Sequence, residues 1–391
     1  MAQAIYLDHA ATTPVSPQVL EAMLPWFGAA NPHAGHAAGA EAAAAVRRAC
    51  ALIAAPIGVD GASIVLTSGA TEANNLALRG AAMAARSGGR NGVVTVATEH
   101  SSVLESARLL ERDGFRLTLL PVDGDGLVDP AALAAAVDSR TAIVSVMAAN
   151  NETGVIQPLR ELAAIAKAAG ALFHTDASQA YGRMNLDVGA LGIDLLSLSG
   201  HKIGGPQGVG ALYVRSSPPL GLEPLIVGGG QQRGLRAGTM PVPLAVGLGE
   251  AARLISDLGD IREVFLAEIG RLIPDAVVHG ERAPRVPHIL SLRLPGVSAE
   301  DLLLDLPEIA ASTGSACGSE RREPSHVLAA MGLPPVESAA TLRLSFGRTT
   351  EKAAALEAAR RLAAAALAQR TQAPGGTPPG DAPLASAAIL R

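Results

Sequence analysis

Thiols are nearly missing from this chain. Of 391 residues only Cys50 and Cys317 carry one, too few for a disulfide framework or a zinc site built from several thiolates, so any sulfur chemistry rests on one thiol or on the pair. Lysine is scarce as well. Lys167, Lys202 and Lys352 are the three among 31 basic residues, which leaves covalent amine chemistry three side-chain candidates. A basic excess is lacking: 31 Lys and Arg against 36 Asp and Glu give a formal charge of −5, no general field for holding a phosphate backbone, and general nucleic-acid binding is not expected. No window offers about 18 uninterrupted apolar residues, and the start MAQAIYLDHAATTP has no basic segment followed by an apolar core, so no membrane contact and a cytoplasmic location are expected. A Walker-type GxxxxGK[ST] is absent and the GGG at 228–230 lacks dinucleotide spacing, which argues against a nucleotide ligand.

What is present is a folded composition, 49% hydrophobic and 17% charged, with length for two or three domains. Apolar runs with β-branched residues at 63–67, 92–97, 116–121, 142–147, 171–175, 195–198 and 210–214 alternate with Ala-rich helical stretches, an α/β rhythm. In 158–169, Leu159, Leu162, Ala163, Ile165 and Ala166 fall on one helical face. Crossover helices of this kind would cover a mostly parallel sheet on both sides. A long helical pattern over 250–273 interrupts the rhythm, and short strands are expected near 289–294 and 341–345. The expected organisation is an N-terminal segment 1–15 packing with the smaller domain, a large domain 16–249, a smaller α+β domain 250–370 and a disordered Pro- and Gly-rich tail 371–391.

Several stretches place reactive groups at strand ends. Ser68-Gly-Ala-Thr-Glu-Ala-Asn-Asn75 follows one strand and opens a helix, so free backbone N–H groups there suit an anion, although a plain capped turn reads the same way. Phe173-His-Thr-Asp-Ala-Ser-Gln179 ends a strand in Asp176 and Gln179, where open α/β sheets place ligand contacts; a helix cap is the bland alternative. Ser197-Leu-Ser-Gly-His-Lys202 ends another in hydroxyl, imidazole and amine. Lys167 and Lys352 read as solvated helix residues, so Lys202 is the amine able to form a Schiff base. His100 follows a further strand. An anion cradle, an amine, a carboxylate and an imidazole at the same end of successive strands together resemble a pyridoxal phosphate site. Cys317 lies among small and charged residues, 312–322, and reads as a thiol on a mobile loop, whereas Cys50 reads as an inert helix-core residue.

Taken in order, TSGATEANN, TEH, ANNETG, HTDASQ, SGHK, GPQGVGALYVR, GGGQQRG, RAGT, TGSAC, EPSHVL and LRLSFGR resemble the cysteine desulfurases, a branch of the class V aminotransferase-like, fold type I pyridoxal phosphate enzymes; the likeness runs from Ile5 to about residue 368. It implies a large domain with a mostly parallel seven-stranded sheet plus a smaller α+β C-terminal domain. Residue by residue, it implies that Lys202 holds pyridoxal 5'-phosphate, Asp176 pairs with the ring nitrogen, Gln179 meets the phenolic oxygen, and His100 stacks on the ring and shuttles a proton. Ala70, Thr71, Ser199 and His201 match the phosphate cradle. Thr239 of RAGT would reach the phosphate of a neighbouring subunit, which implies a homodimer. Asn151 and Arg343 would hold the substrate, the arginine as a fork on its carboxylate.

The implied reaction removes sulfur from L-cysteine, giving L-alanine and a persulfide on Cys317 for a sulfur-acceptor protein. About seven residues separate Cys317 from Ser325, similar to long-loop members that deliver directly to several partners. The chain departs from the common pattern in Gly318 after the cysteine, Ala237 before Gly238, and the composition of its tail. Alternatives are a selenocysteine lyase and a non-catalytic sulfur carrier retaining the fold. The destination of the sulfur stays open among iron-sulfur clusters, transfer-RNA thiolation, cofactor synthesis and DNA modification. No metal site is expected, since His174, His201 and Asp176 offer ligand types without a metal-binding spacing.

Overall fold

The computed structural model describes residues 4–313 and 324–372. Seven strands form the large sheet, in the order Ile64–Thr67, Gly210–Val214, Leu195–Ser199, Leu172–Asp176, Thr141–Ser145, Gly92–Val96 and Arg116–Leu120. All pairs are parallel except the two made by Gly210–Val214, which runs antiparallel to both neighbours. The inner strands are buried on both faces and therefore read as nearly unbroken apolar runs.

Strand geometry divides the side chains between two cores, because successive residues point to opposite faces. Val65, Ile143 and Leu195 join one apolar cluster with the helices Ala70–Arg86 and Ser101–Arg112. Their chain neighbours Leu66, Val144 and Leu196 join the cluster on the other face, with the helices Ala37–Ala54, Leu159–Ala168 and Val242–Arg253.

A second sheet of four antiparallel strands runs in the order Ser312–Thr313, Thr341–Ser345, Ile289–Arg293 and Val277–Val278. Its Leu290, Leu292, Leu342 and Leu344 pack with Phe265 and Ile269 of the helix Ile261–Leu272 and with Leu362 of the helix Lys352–Gln372. Near the N-terminus, Ile5–Tyr6 pairs in parallel with Ile309–Ala310, and Asp8 bridges to Ser345. The following residues, 9–13, therefore run from the small sheet towards the large one.

The long helix expected over 250–273 is two helices, Val242–Arg253 and Ile261–Leu272. Gly259 at φ +65° sits in the break, a left-handed conformation that glycine adopts without penalty. Leu258 is buried although it lies in the connection, so the apolar pattern continues while the helix does not. The tail expected after residue 370 lies outside the described residues from 373 onward.

Candidate active site

The parallel strands end around one cavity of about 940 Å³. Ala70, Thr71, His100, Asn151, Asp176, Gln179, Ser199, His201, Lys202 and Arg343 all line it. Of the residues singled out from sequence, Thr239 does not line it and is exposed. Cys317 lies outside the described residues, as does the mobile-loop reading attached to it.

One wall is the N-terminus of the helix Ala70–Arg86, whose N-cap Gly69 provides no side-chain cap. The first N–H groups of that helix have no intrahelical acceptors and carry the positive end of its dipole. Gly69 has φ +153°, and a Cβ built there would stand 3.9 Å from Ser199 Oγ, in the space between helix end and strand end. Close approach is enforced from behind: a Cβ on Gly210 would fall 2.7 Å from Gly69 Cα and carbonyl carbon. Glu72 accepts from the Ser68 N–H at 2.7 Å and from Arg236 Nε at 2.8 Å, which tethers the RAGT stretch to this helix end. Those contacts hold the Glu72 carboxyl below its ordinary range despite burial.

Lys202 closes a one-turn 3-10 helix, Gly200–Lys202, immediately after the strand Leu195–Ser199. Its Nζ donates to the carbonyls of Ala10 at 2.7 Å and Ala11 at 2.8 Å. The Ala10 carbonyl also accepts from Gln179 Nε2 at 2.9 Å, so the N-terminal segment is fastened by both groups. His201 Nδ1 meets Thr12 Oγ1 at 3.2 Å, and burial, then the Lys202 charge, lower its pKa to about 4.

Asp176 is almost fully buried at the far side of the cavity. Asn74 Nδ2 donates to its Oδ2 at 2.7 Å and the Ser178 N–H to its Oδ1 at 2.8 Å. Two residues back on the same strand face, the wholly buried His174 is bracketed by Ser145 Oγ at 2.8 Å and Ser197 Oγ at 3.0 Å, and burial lowers its pKa to about 4. Beneath lies Glu99, fully buried, accepting from the Met147 N–H at 2.5 Å. Burial, reinforced by Asp176, pushes its carboxyl well above the usual range. Burial thus disfavours charge on the imidazole and carboxyl packed behind the cavity wall.

The small sheet contributes Arg343. Its Nη2 donates to Asp8 Oδ1 at 2.9 Å and Ser312 Oγ at 3.0 Å, Nη1 approaches the Asn151 carbonyl at 3.5 Å, and the buried Nε has no partner among the described residues. Glu152, next to Asn151, accepts from Ser325 Oγ at 2.5 Å and is raised to about 7 by burial. Ser325 caps the helix His326–Ala330, and His326 Nε2 bonds the Glu99 carbonyl at 2.9 Å. Ser312 and Pro324, which flank the stretch carrying Cys317, both reach this site. Asn74, Ser102, Glu152 and Asp8 are among the polar residues that sequence reading did not single out. Asn74 had one signal, an amide on the apolar period of an Ala-rich helix, where the structure buries it wholly.

The donor set suits a phosphorylated pyridine aldehyde: an uncapped helix N-terminus with Ser199 and His201 for a phosphate, an amine in reach, and a buried carboxylate opposite. Among the described residues no cluster of His, Cys, Asp and Glu could hold a metal ion. Cys50, in the helix Ala37–Ala54, has its thiol pushed up to about 11 by burial, an inert setting.

The profile of the family described as Aminotransferase class-V matches residues 5–355. The cysteine desulfurase IscS of Rickettsia peacockii (strain Rustic) is 44% identical over 360 residues, covering 89% of this chain and 88% of the relative. The solved structure of a NifS-like protein superposes with TM-score 0.84 at 32% identity, covering 93% of this chain and 99% of that one. The structure of SspA in complex with cysteine gives TM-score 0.80 at 36% identity, with 87% and 98% covered. By its profile match, its sequence identity and its mostly parallel seven-stranded sheet, the chain belongs to the class-V aminotransferase family of pyridoxal phosphate enzymes, with their fold type I architecture.

Proposed function

We propose that this protein is a cysteine desulfurase, moving the sulfur of L-cysteine onto Cys317 and releasing L-alanine. The observation that carries this reading is the convergence on one cavity of Lys202 Nζ, the Asp176 carboxylate, a helix N-terminus and Arg343, with both flanks of the Cys317 stretch beside them. Pyridoxal phosphate, when bound, supplies an aldehyde for an amine and a ring that accepts electron density from the substrate Cα.

The chain's residues divide the remaining work. The helix end at Ala70 and Thr71, with Ser199 and His201, would hold the phosphate. Asp176, kept in place by Asn74 and the Ser178 N–H, would pair with the ring nitrogen. Gln179 would turn its amide from Ala10 to the phenolic oxygen. Lys202 Nζ, poised over two carbonyls, is the amine that would carry the cofactor and take the Cα proton. Arg343 takes the substrate carboxylate beside Asn151; Asp8, its ion-pair partner at 2.9 Å, orients the fork.

Cys317 follows Thr313 by four positions, a reach of at most about 14 Å along extended chain. Its thiolate attacks the substrate sulfur, the Cβ–S bond breaks, and the carbon product gains protons to become alanine. The sum, Cys317 thiol plus cysteine giving Cys317 persulfide plus alanine, balances in atoms and electrons without an external oxidant. The persulfide then passes to an acceptor protein. Thr239, exposed yet tethered near the helix end through Arg236, would reach the phosphate of a second copy in a homodimer. No helix among the described residues is long and apolar enough to cross a membrane.

Cys317→Ser tests the reading. The variant keeps its bound cofactor absorbance and yields neither alanine nor sulfide from cysteine; undiminished turnover would remove Cys317 from the chemistry.

A further inference from the structure

His100 caps the helix Ser101–Arg112, an unusual position for an imidazole. Its Nδ1 lies 3.1 Å from the Ser102 backbone N–H and 2.9 Å from Ser102 Oγ. A backbone N–H can only donate, so Nδ1 is an acceptor in this arrangement and the neutral ring carries its proton on Nε2. The hydroxyl has its own constraint. Asn74 Nδ2 donates to Ser102 Oγ at 2.9 Å with one hydrogen and to Asp176 Oδ2 at 2.7 Å with the other. Rotating the amide would set its oxygen against the Asp176 carboxylate, so both donations have a fixed direction. Ser102 then accepts from Asn74 and gives its own hydrogen to Nδ1. Asn74 Oδ1 is left buried with no partner among the described residues, so nothing on that side of the amide sets its orientation. The amide is thus held in place by what its donors do.

From this chain of bonds we infer that Asn74 and Ser102 are positioning residues which lock His100 with Nδ1 as acceptor and Nε2–H towards the cavity, and which tie that choice to the Asp176 carboxylate. The inference rests on the desulfurase reading for its use: proton exchange by His100 with the reacting centre runs through Nε2 alone, and the carboxylate facing the ring nitrogen and the imidazole over the ring are set by one amide. Forming the imidazolium would place a hydrogen on Nδ1 against the Ser102 backbone N–H and cost the hydroxyl its donation to the ring, so the network favours the neutral ring. The charged and titratable groups around His100 are Asp176 from the strand Leu172–Asp176, which favours protonation, and Lys202 and His326, which oppose it.

The test is nitrogen NMR of full-length protein labelled at histidine, with and without pyridoxal phosphate, the His100 signals being assigned by their loss in His100→Gln. The expected result is an unprotonated Nδ1 and a protonated Nε2 at neutral pH; a protonated Nδ1 overturns the inference. Ser102→Ala deletes one of the two donors to Nδ1 and should raise the His100 titration midpoint by about one pH unit, tenfold in proton affinity. It should also lower kcat several-fold with KM for cysteine nearly unchanged, and Ser102→Thr should restore both. An unmoved midpoint in Ser102→Ala overturns the relay. Should the variants fold poorly, the wild-type spectrum still decides the tautomer. Because the spectrum is read without turnover, a wrong tautomer and a wrong reaction are told apart: the second appears as absent alanine while the nitrogen shifts stand.

Discussion

Gly210→Ala places one methyl group where the large sheet meets the helix end. The added Cβ would lie 2.5 Å from the Leu198 carbonyl oxygen and 2.7 Å from two backbone atoms of Gly69. All three are main-chain atoms, so no side chain can swing aside. Either the antiparallel pair formed by Leu195–Ser199 and Gly210–Val214 spreads, or the Gly69 turn retreats with the helix N-terminus behind it. Overpacking of this kind costs about 1–3 kcal/mol. If the turn yields, the same energy appears as cofactor affinity weakened about 5- to 150-fold. The assay is a pyridoxal phosphate titration of the apoprotein followed by absorbance, with melting curves at zero and saturating cofactor. Gly28→Ala is the control, since a Cβ there meets nothing within 4 Å. Wild-type affinity and an unshifted melting temperature in Gly210→Ala would refute the claim that close backbone contact shapes the cradle.

Other outcomes follow from the charges. Arg343→Lys keeps a cation for Asp8 and loses the planar fork, so KM for cysteine rises about tenfold while kcat changes less; steady-state kinetics checks this. Glu152, raised to about 7 from 4.5 by burial, keeps its proton in the folded chain over a range where the unfolded chain has released it. Folding therefore takes up a proton, and stability falls as pH rises from about 4.5 to about 7, by about 3 kcal/mol at most; Glu152→Gln removes this slope in urea unfolding series. With its thiol held near 11, Cys50 resists alkylation at about pH 8, so iodoacetamide that abolishes turnover labels Cys317 first, and peptide mapping reads the order.

The seven large-sheet strands were legible because each is a short apolar run ending at polar or small residues, and observed bounds differ from expected ones by at most two residues. The direction of Gly210–Val214 was not, since a strand buried on both faces reads alike either way. In 250–273 the apolar period survived a change of structure: Leu258 is buried from a connection, and the eye joins it to Phe265 and Ile269. Reactive residues at strand ends stood out by type. Their supports did not. Asp8 and Arg343 pair across 335 positions, and Asn74 meets Asp176 across 102, contacts that only the folded chain creates. Glu152 is similar: nothing local marks the carboxyl that ends up against Ser325.

Mass spectrometry of the holoenzyme after borohydride reduction tests the central claim most directly. Lys202 Nζ is the amine inside the cavity, whereas Lys352 is paired with Asp260 at an exposed helix start and Lys167 lies in the last turn of the helix Leu159–Ala168. The account predicts one pyridoxyl adduct per chain, on the peptide carrying Lys202, and Lys202→Ala protein that takes up none. An adduct on Lys167 or Lys352, or none at all in enzyme that desulfurates cysteine, would contradict it.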